Sequence, residues 1–229
     1  MRQDFTGWTI VFDLDGTLVE TAPDLHAALN HTLAGKGLGP VPIEDIRMMI
    51  GDGAKALIRK GLSWHAQPID EADLDSTLWP IFITHYLANI TRLSHLFDEA
   101  RTSLQQLKTL GFSLTVCTNK TQILAMEVLK GLDIDHLFNA TLGGDITVSK
   151  KPDGAHILET LALSGGDRAR AIMIGDSTTD ERAARNAGLP FVFLTLGYGE
   201  LSGDPYPAMR VINHWRELPP AILELTASD

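Results

Sequence analysis

Two aspartates, one residue apart, follow an apolar run near the start of the sequence. The run covers residues 8–14, WTIVFDL, and is rich in β-branched and aromatic residues. Asp13 and Asp15 stand at its end, beside Gly16. Two carboxylates this close repel each other, and they are costly to bury unless a cation or a proton compensates their charge. The pair indicates either a charged site or, as the ordinary alternative, a turn that begins with Asp-Gly.

Other polar side chains follow later apolar runs in the same way. Thr118 and Asn119 end the run SLTVCTN, and Asp176 ends the run AIMIGD, with Asp180 four residues further on. Lys151 precedes a proline at the start of another helical stretch. Each of them alone fits a helix cap or a solvated lysine. If all of them meet at one edge of a sheet, the carboxylates, the lysine and the hydroxyl make a site for Mg²⁺ and phosphate.

Strand-like and helix-like patterns alternate between these polar positions. Nearly continuous apolar runs, typical of strands that are buried on both faces, lie at 8–14, 113–119, 171–176 and 190–195. Apolar residues with helical spacing fill the intervals between the runs. The sequence therefore predicts an α/β fold with a doubly wound, Rossmann-like parallel sheet, in which ligands bind at the carboxyl ends of the strands.

The segment after the first strand breaks this alternation and contains no convincing strand. Its apolar stripes with helical spacing lie at 25–33, 46–62 and 78–87. We predict that residues 19–94 form a helical cap, inserted into an α/β catalytic core made of residues 1–18 and 95–229.

Composition limits the classes of partner. The chain has 229 residues, is 44% hydrophobic and carries a formal net charge of -10, which repels nucleic acid and anionic membranes. The single cysteine, Cys117, lies in an apolar run and is expected to be a buried, unreactive thiol. No leader or membrane-spanning run is apparent, so the expected location is the cytoplasm and the expected partner is a small molecule. A monomer and a homodimer remain open.

The polar motifs resemble the four motifs of the haloacid dehalogenase superfamily of phosphatases. They are the DLDGT of 13–17, Thr118-Asn119, Lys151 before its proline, and the GDSTTD of 175–180. A closer similarity, to phosphoglycolate phosphatases, lies in ETAPDL at 20–25, IGDGA at 50–54, TNK at 118–120 and LGYG at 196–199. The resemblance implies a hydrolase that releases phosphate from a small phosphorylated metabolite, and it makes residues 19–94 the cap.

This resemblance also assigns roles to residues. Asp13 is the expected nucleophile, which forms an aspartyl phosphate, and Asp15 is the expected general acid and base. Mg²⁺ is the expected cofactor, bound by the Asp13 carboxylate, the Asp15 backbone carbonyl and Asp176. Asp180 is expected to contact these ligands and not the metal ion itself. The expected phosphate-binding residues are Gly16, Thr17, Thr118, Asn119 and Lys151.

Substrate selectivity is expected to come from the cap. The preferred substrate that the resemblance implies is 2-phosphoglycolate, whose carboxylate needs a cationic partner. Lys55 is the first candidate for that partner and Arg47 the second, with Gly51 and Gly53 as a flexible loop beside them. Another phosphatase substrate, such as a sugar phosphate or pyrophosphate, and a phosphomutase of the β-phosphoglucomutase type remain alternatives. Retention of every motif residue argues against a dehalogenase and against a catalytically silent binding protein.

Overall fold

A parallel six-stranded sheet forms the centre of the molecule. The computed structural model describes residues 4–201, 203 and 205–227. In sequence order the sheet strands are β1 Thr9–Phe12, β4 Ser113–Thr118, β5 Ala140–Gly143, β6 Ala171–Gly175, β7 Phe191–Leu194 and β8 Met209–Ile212. Their order in space is β5-β4-β1-β6-β7-β8, and each neighbouring pair is parallel. The predicted doubly wound α/β fold is confirmed.

Helices cover both faces of this sheet. Alternate residues of β1 point to opposite sides, so that Phe12 joins one apolar core and Val11 the other. Three helices pack on the first face: α6 Ala100–Thr109, α7 Gln122–Gly131 and α10 Leu218–Thr226. Two helices pack on the second face: α8 Gly154–Ser164 and α9 Thr178–Ala187. With helices on both faces, β1 is fully buried, which explains its uninterrupted apolar sequence.

Five helices lie between residues 21 and 94 of the sequence, before α6. They are α1 Ala22–Ala34, α2 Ile43–Arg47, α3 Ala54–Trp64, α4 Glu71–Asp73 and α5 Trp79–Ala88. A π-helical turn, Leu74–Leu78, joins α4 to α5. Helix α1 packs against α5, α2 and α3. Short 3₁₀ turns occur elsewhere, at Asp135–Leu137, Arg168–Arg170 and Trp215–Glu217.

The apolar stripe predicted over 46–62 is divided between two helices. Helix α2 ends at Arg47 and α3 begins at Ala54. Between them, Gly51 and Gly53 adopt φ angles of +122° and +91°, which a residue with a side chain rarely adopts. The glycines therefore interrupt the helix and form a loop.

The expectation of no strand within 19–94 was wrong in one detail. The two-residue strand β2, Val19–Glu20, pairs antiparallel with β3, His95–Leu96. A strand of two residues is too short to give an alternating pattern. Strands β5 and β8 were also not predicted, because their sequences, ATLG and MRVI, are not continuously apolar, and both strands lie at the edges of the sheet.

The paired strands β2 and β3 mark where the chain leaves the sheet layer and returns to it. Beside them, the buried Asp24 of α1 accepts hydrogen bonds from the backbone amides of Leu93 and Ser94, the latter at 2.7 Å, and from the Ser94 hydroxyl at 2.6 Å. The segment that leaves the sheet layer and the segment that returns to it are thus joined by hydrogen bonds. The division into a cap of 19–94 and a core of 1–18 and 95–229 stays a prediction, and residues 1–3, 202, 204, 228 and 229 of that core lie outside the described residues.

No helix in the part of the chain that the structure describes has the length and apolar character needed to cross a membrane.

Candidate active site

The central strands bring the predicted site residues to one edge of the sheet. Phe12 of β1 is in register with Val116 of β4 and with Ile174 of β6. The residue that follows, Asp13, donates its backbone amide to the Ile174 carbonyl at 3.0 Å. Each strand thus delivers its next polar residues at nearly the same level, as the parallel topology predicts.

Three carboxylates meet at this edge. Asp13, Asp176 and Asp180 are all buried, and each offers a carboxylate oxygen within 4.8 Å of those of the other two. They come from the ends of β1 and β6 and from the first turn of α9. Three buried negative charges at this spacing require compensation.

Lys151 supplies one positive charge to the cluster. Its ammonium group lies 2.7 Å from Asp13 and 2.7 Å from Asp180, and only 2% of its side chain is exposed. Burial opposes the charged form, but the two carboxylates outweigh burial and raise the pKa of Lys151 above its ordinary value. Lys151 is therefore an internal counter-ion and not a solvated surface lysine.

One lysine does not neutralise three carboxylates. Burial is the main cause that raises the pKa of Asp13 to about 8, against the pull of Lys151. Burial and then Asp180 raise the pKa of Asp176 to about 7. The uncompensated acidity and the all-oxygen donor set fit a hard divalent cation. The structure therefore supports a metal-binding cluster at this position.

Asp176 and Asp180 are held differently. Asp176 accepts hydrogen bonds from the Thr17 hydroxyl at 2.6 Å and from the backbone amide of Tyr198 at 2.8 Å. Asp180 forms a capping box with Ser177 at the start of α9, while its other oxygen binds Lys151. Both oxygens of Asp180 are thus engaged by the protein, which agrees with a supporting position.

The turn after β1 fits closely around Asp176. Gly16 has a φ of +85°, and a Cβ atom there would lie 2.6 Å from an Asp176 carboxylate oxygen, so no larger residue fits. The Gly16 amide donates to the Val19 carbonyl at 2.9 Å, and the Thr17 hydroxyl is directed to Asp176. These contacts build the turn, and the expected phosphate contacts of Gly16 and Thr17 stay a prediction.

Asp15 has partners that the sequence did not indicate. Its carboxylate accepts hydrogen bonds from the Thr21 hydroxyl at 2.7 Å and from the Lys120 ammonium group at 2.9 Å. Lys120 is buried, with 3% of its side chain exposed, and it also donates to the Tyr86 hydroxyl at 2.9 Å. Lys120 directly follows Thr118-Asn119 in the TNK motif. This motif was the sequence feature that could have identified it as a site residue.

Tyr198 is a second residue that the site prediction lacked. Its hydroxyl accepts hydrogen bonds from the backbone amides of Thr21 at 2.7 Å and Ala22 at 2.9 Å, and donates to Glu20 at 2.8 Å. Tyr198 therefore connects the loop after β7 to the start of α1. The LGYG motif indicated a site position for Tyr198 only through the resemblance to the family.

A cavity lies above the carboxyl ends of the strands. Its floor is formed by residues from the ends of β1 and β4, namely Asp13, Asp15, Thr118, Asn119 and Lys120. The helical segment forms the opposite wall with Leu25, Ile50, Gly51, Gly53, Ala54 and Leu57. The two sides meet where the Asn119 side-chain amide donates to the Gly51 carbonyl at 3.0 Å. The cavity thus combines a polar, charged floor with a mostly apolar wall.

The two basic candidates from the helical segment have other partners. Lys55 binds Asp75 at 2.6 Å and Arg47 lies 3.5 Å from Glu20, and both side chains are more than 40% exposed. Neither is among the residues that line the cavity, whereas Gly51 and Gly53 are. The role of Lys55 and Arg47 in substrate selectivity stays a prediction, and the geometry of the site does not support it.

A family model confirms what the fold and the motifs indicate. The model of the haloacid dehalogenase-like hydrolase family matches residues 10–194, which span most of the chain. The chain belongs to this family.

Similar proteins narrow the enzyme class. A curated relative from Caulobacter vibrioides, described as phosphoglycolate phosphatase, is 43% identical over 225 residues, which cover 98% of this chain and 94% of the relative. A second, from Agrobacterium fabrum, has the same description and is 41% identical, covering 95% and 93%. The crystal structure of a predicted phosphoglycolate phosphatase from Haemophilus somnus aligns with a TM-score of 0.85 and 29% identity, over 97% of this chain and 98% of that one. The protein is a phosphatase.

The raised pKa values predict how stability depends on pH when no metal is bound. Between the unfolded pKa of 3.8 and the folded values of about 7 and about 8, the folded state holds more protons than the unfolded state. The free energy of unfolding in chelator should therefore fall as the pH rises from about 5.5 to about 8.5. Denaturant titrations at several pH values measure this slope.

Two variants check the origin of this slope. Asp176→Asn should flatten it, because the substitution removes one of the two buried carboxyls. The matched change Asp153→Asn, at an exposed helix cap, should leave the slope as in the original protein. A stability that rises over this pH range would contradict the assignment.

Proposed function

We propose that the protein is a magnesium-dependent phosphatase that hydrolyses 2-phosphoglycolate to glycolate and phosphate through an aspartyl phosphate. The observation that carries the mechanism is the position of Asp13, which is bound to Lys151 at 2.7 Å and faces a cavity beside Asp15 and Thr118. The substrate rests on the descriptions of the relatives and on the chemistry of the cavity floor.

Asp13 is the proposed nucleophile. Its carboxylate oxygen would attack phosphorus as the bond from phosphorus to the ester oxygen breaks, so that the phosphoryl group passes to Asp13. A carboxylate must be ionised to attack. Lys151 favours that form, and it also offsets the charge of the incoming phosphate.

Asp15 is the proposed proton carrier. It would donate a proton to the leaving ester oxygen in the first step and take one from the attacking water in the second. The water then adds to phosphorus, the bond to Asp13 breaks, and phosphate leaves. The hydrogen bonds from Thr21 and Lys120 hold the Asp15 carboxyl at the cavity floor, where the leaving group would lie.

Thr118 and Asn119 are proposed to bind the phosphoryl oxygens. Thr118 lines the cavity, and its hydroxyl oxygen accepts the Lys120 backbone amide at 3.2 Å, so that the hydroxyl proton is available for a phosphate oxygen. The Asn119 side chain is used by the Gly51 and Lys151 carbonyls, which leaves its backbone as the proposed contact.

Magnesium fits the acidic cluster described above. Asp13, Asp176 and the Asp15 carbonyl would hold the ion, and Asp180 would support them through Lys151. When bound, the ion would neutralise charge on the phosphoryl oxygens and keep Asp13 ionised. We further propose that residues 19–94 act as the cap, which excludes water from the cavity and faces the leaving group.

Substitution of the two floor aspartates tests the mechanism. Asp13→Asn should lower kcat by at least about a thousandfold, because the nucleophile is lost. Asp15→Asn should lower it by about a hundredfold to ten-thousandfold through both proton transfers, with substrate binding retained. Phosphate release and trapping of labelled phosphoenzyme measure the two steps. Normal turnover by Asp13→Asn would refute the intermediate.

Removal of metal tests the cofactor. Exhaustive chelation should lower activity by roughly a hundredfold or more, since a bound cation contributes several kcal/mol to such transition states. Mg²⁺ should restore activity, and Ca²⁺ should restore little, because its looser coordination does not fix the nucleophile in place. Full activity in the chelated protein would show that the cluster needs no metal.

A pair of substrates tests the specificity. 2-Phosphoglycolate and ethyl phosphate have leaving groups of the same length, and only the first carries a carboxylate. The ratio of their kcat/KM values should exceed about ten, as expected for a charged hydrogen bond that only one ester makes. Assays of phosphate release from a panel of sugar phosphates and from pyrophosphate compare these alternative substrates with 2-phosphoglycolate. Equal kcat/KM values for the two esters would reject the proposed substrate.

A further inference from the structure

We propose that Lys120 is the residue that recognises the carboxylate of the substrate's leaving group. The inference rests on the proposed function, because it concerns the choice of 2-phosphoglycolate over uncharged esters. It replaces the expectation that a basic residue of the cap, Lys55 or Arg47, performs this recognition.

The position of Lys120 relative to Asp15 is the first argument. The Lys120 ammonium nitrogen lies 2.9 Å from one Asp15 oxygen and 3.3 Å from the other. In the proposed reaction the ester oxygen of the substrate contacts the Asp15 carboxyl. The carboxylate carbon of 2-phosphoglycolate is only two bonds from that oxygen. A cation in contact with Asp15 is therefore within reach of the substrate carboxylate.

The lining of the cavity is the second argument. Among the residues that the structure describes around the cavity, Lys120 is the only lysine or arginine. The wall from the helical segment offers apolar side chains and glycine backbone, which cannot balance a buried negative charge. Lys151 also lies near the site, but its ammonium group binds Asp13 and Asp180. Lys120, at the cavity floor, is thus the cationic partner that the lining offers to a substrate carboxylate.

The hydrogen-bonding capacity of Lys120 is the third argument. An ammonium group has three N–H donors. Two of them suffice for the contacts with Asp15 and with the Tyr86 hydroxyl. The third remains for a ligand. Because Lys120 lines the cavity, a carboxylate placed there would meet a charged donor.

Tyr86 also links this contact to the helical segment. Tyr86 belongs to α5 and is fully buried, and the Lys120 ammonium group lies 4.8 Å from the centre of its ring. The aromatic face and the hydroxyl both stabilise the cation in this position. Lys120 is thereby held between Asp15 at the sheet edge and Tyr86 of α5, beside the position proposed for the leaving group.

A purely structural role for Lys120 makes a different prediction. If Lys120 only holds Asp15 in place, its loss should slow both esters equally, because both need the same proton transfer. If it also binds the carboxylate, its loss should slow 2-phosphoglycolate more than ethyl phosphate. The ratio of the two kcat/KM values therefore separates the roles, whatever the absolute loss of activity.

The test compares this ratio in the original protein and in four variants. Lys120→Met should reduce the preference for 2-phosphoglycolate by about tenfold or more, the effect of a lost charged hydrogen bond. Lys120→Arg keeps the charge and should retain part of the preference. Lys130→Met removes an exposed lysine of α7 and should behave as the original protein. Lys55→Met should leave the preference unchanged, and a preference that narrows there but not in Lys120→Met would overturn the assignment.

An equilibrium measurement covers the case in which Lys120→Met has no detectable turnover. In the Asp13→Asn background, calorimetry gives the dissociation constants of both esters with and without Lys120→Met. The added substitution should weaken binding of 2-phosphoglycolate by about tenfold more than binding of ethyl phosphate. An equal effect on the two esters would refute the role of Lys120. No preference in the original protein would instead refute the proposed substrate, so the two failures are distinguishable.

Discussion

The structure of the site depends on the burial of negative charge. Asp13, Asp176 and Asp180 lie at one edge of a sheet whose strands are covered on both faces, so that water cannot screen them. Lys151 compensates part of this charge, and burial, together with the neighbouring carboxylates, raises the pKa values of Asp13 and Asp176. The same imbalance fits the cluster to hold a cation. The proposed binding of metal and of phosphate would therefore follow from how the parallel strands end.

The helical segment between β2 and β3 forms the wall of the cavity opposite the strand ends. The chain leaves the sheet layer after β1 and returns before α6, and the two crossings are tied by Asp24 and by the pairing of β2 with β3. Tyr198 connects the loop after β7 to the same junction. Lys120 lies between Asp15 of the sheet edge and Tyr86 of the helical segment. The helical segment and the sheet edge therefore share polar contacts beside the groups that would transfer protons.

The distribution of charge agrees with a small anionic substrate. The chain has a formal net charge of -10, so long-range electrostatics do not attract phosphate esters. The buried ammonium groups of Lys151 and Lys120 provide local positive charge where screening by water is weak. Lys120 at the cavity floor and Lys151 in contact with Asp13 suit a substrate with two separate anionic groups. Similarity to proteins described as phosphoglycolate phosphatase is consistent with this arrangement.

The sequence by itself determined the α/β class and the residues at the strand ends. Asp13, Thr118 and Asp176 were predictable because each ends or directly follows an apolar strand, and parallel strands must end at a common edge. The partners of lysine side chains were decided only by tertiary structure. Lys120 meets an aspartate 105 positions away, whereas Lys55, which has the expected neighbours in sequence, binds Asp75 outside the cavity. A long, flexible side chain has no periodic pattern that reveals its partner, so only the packing of the helical segment against the sheet edge could distinguish the two lysines.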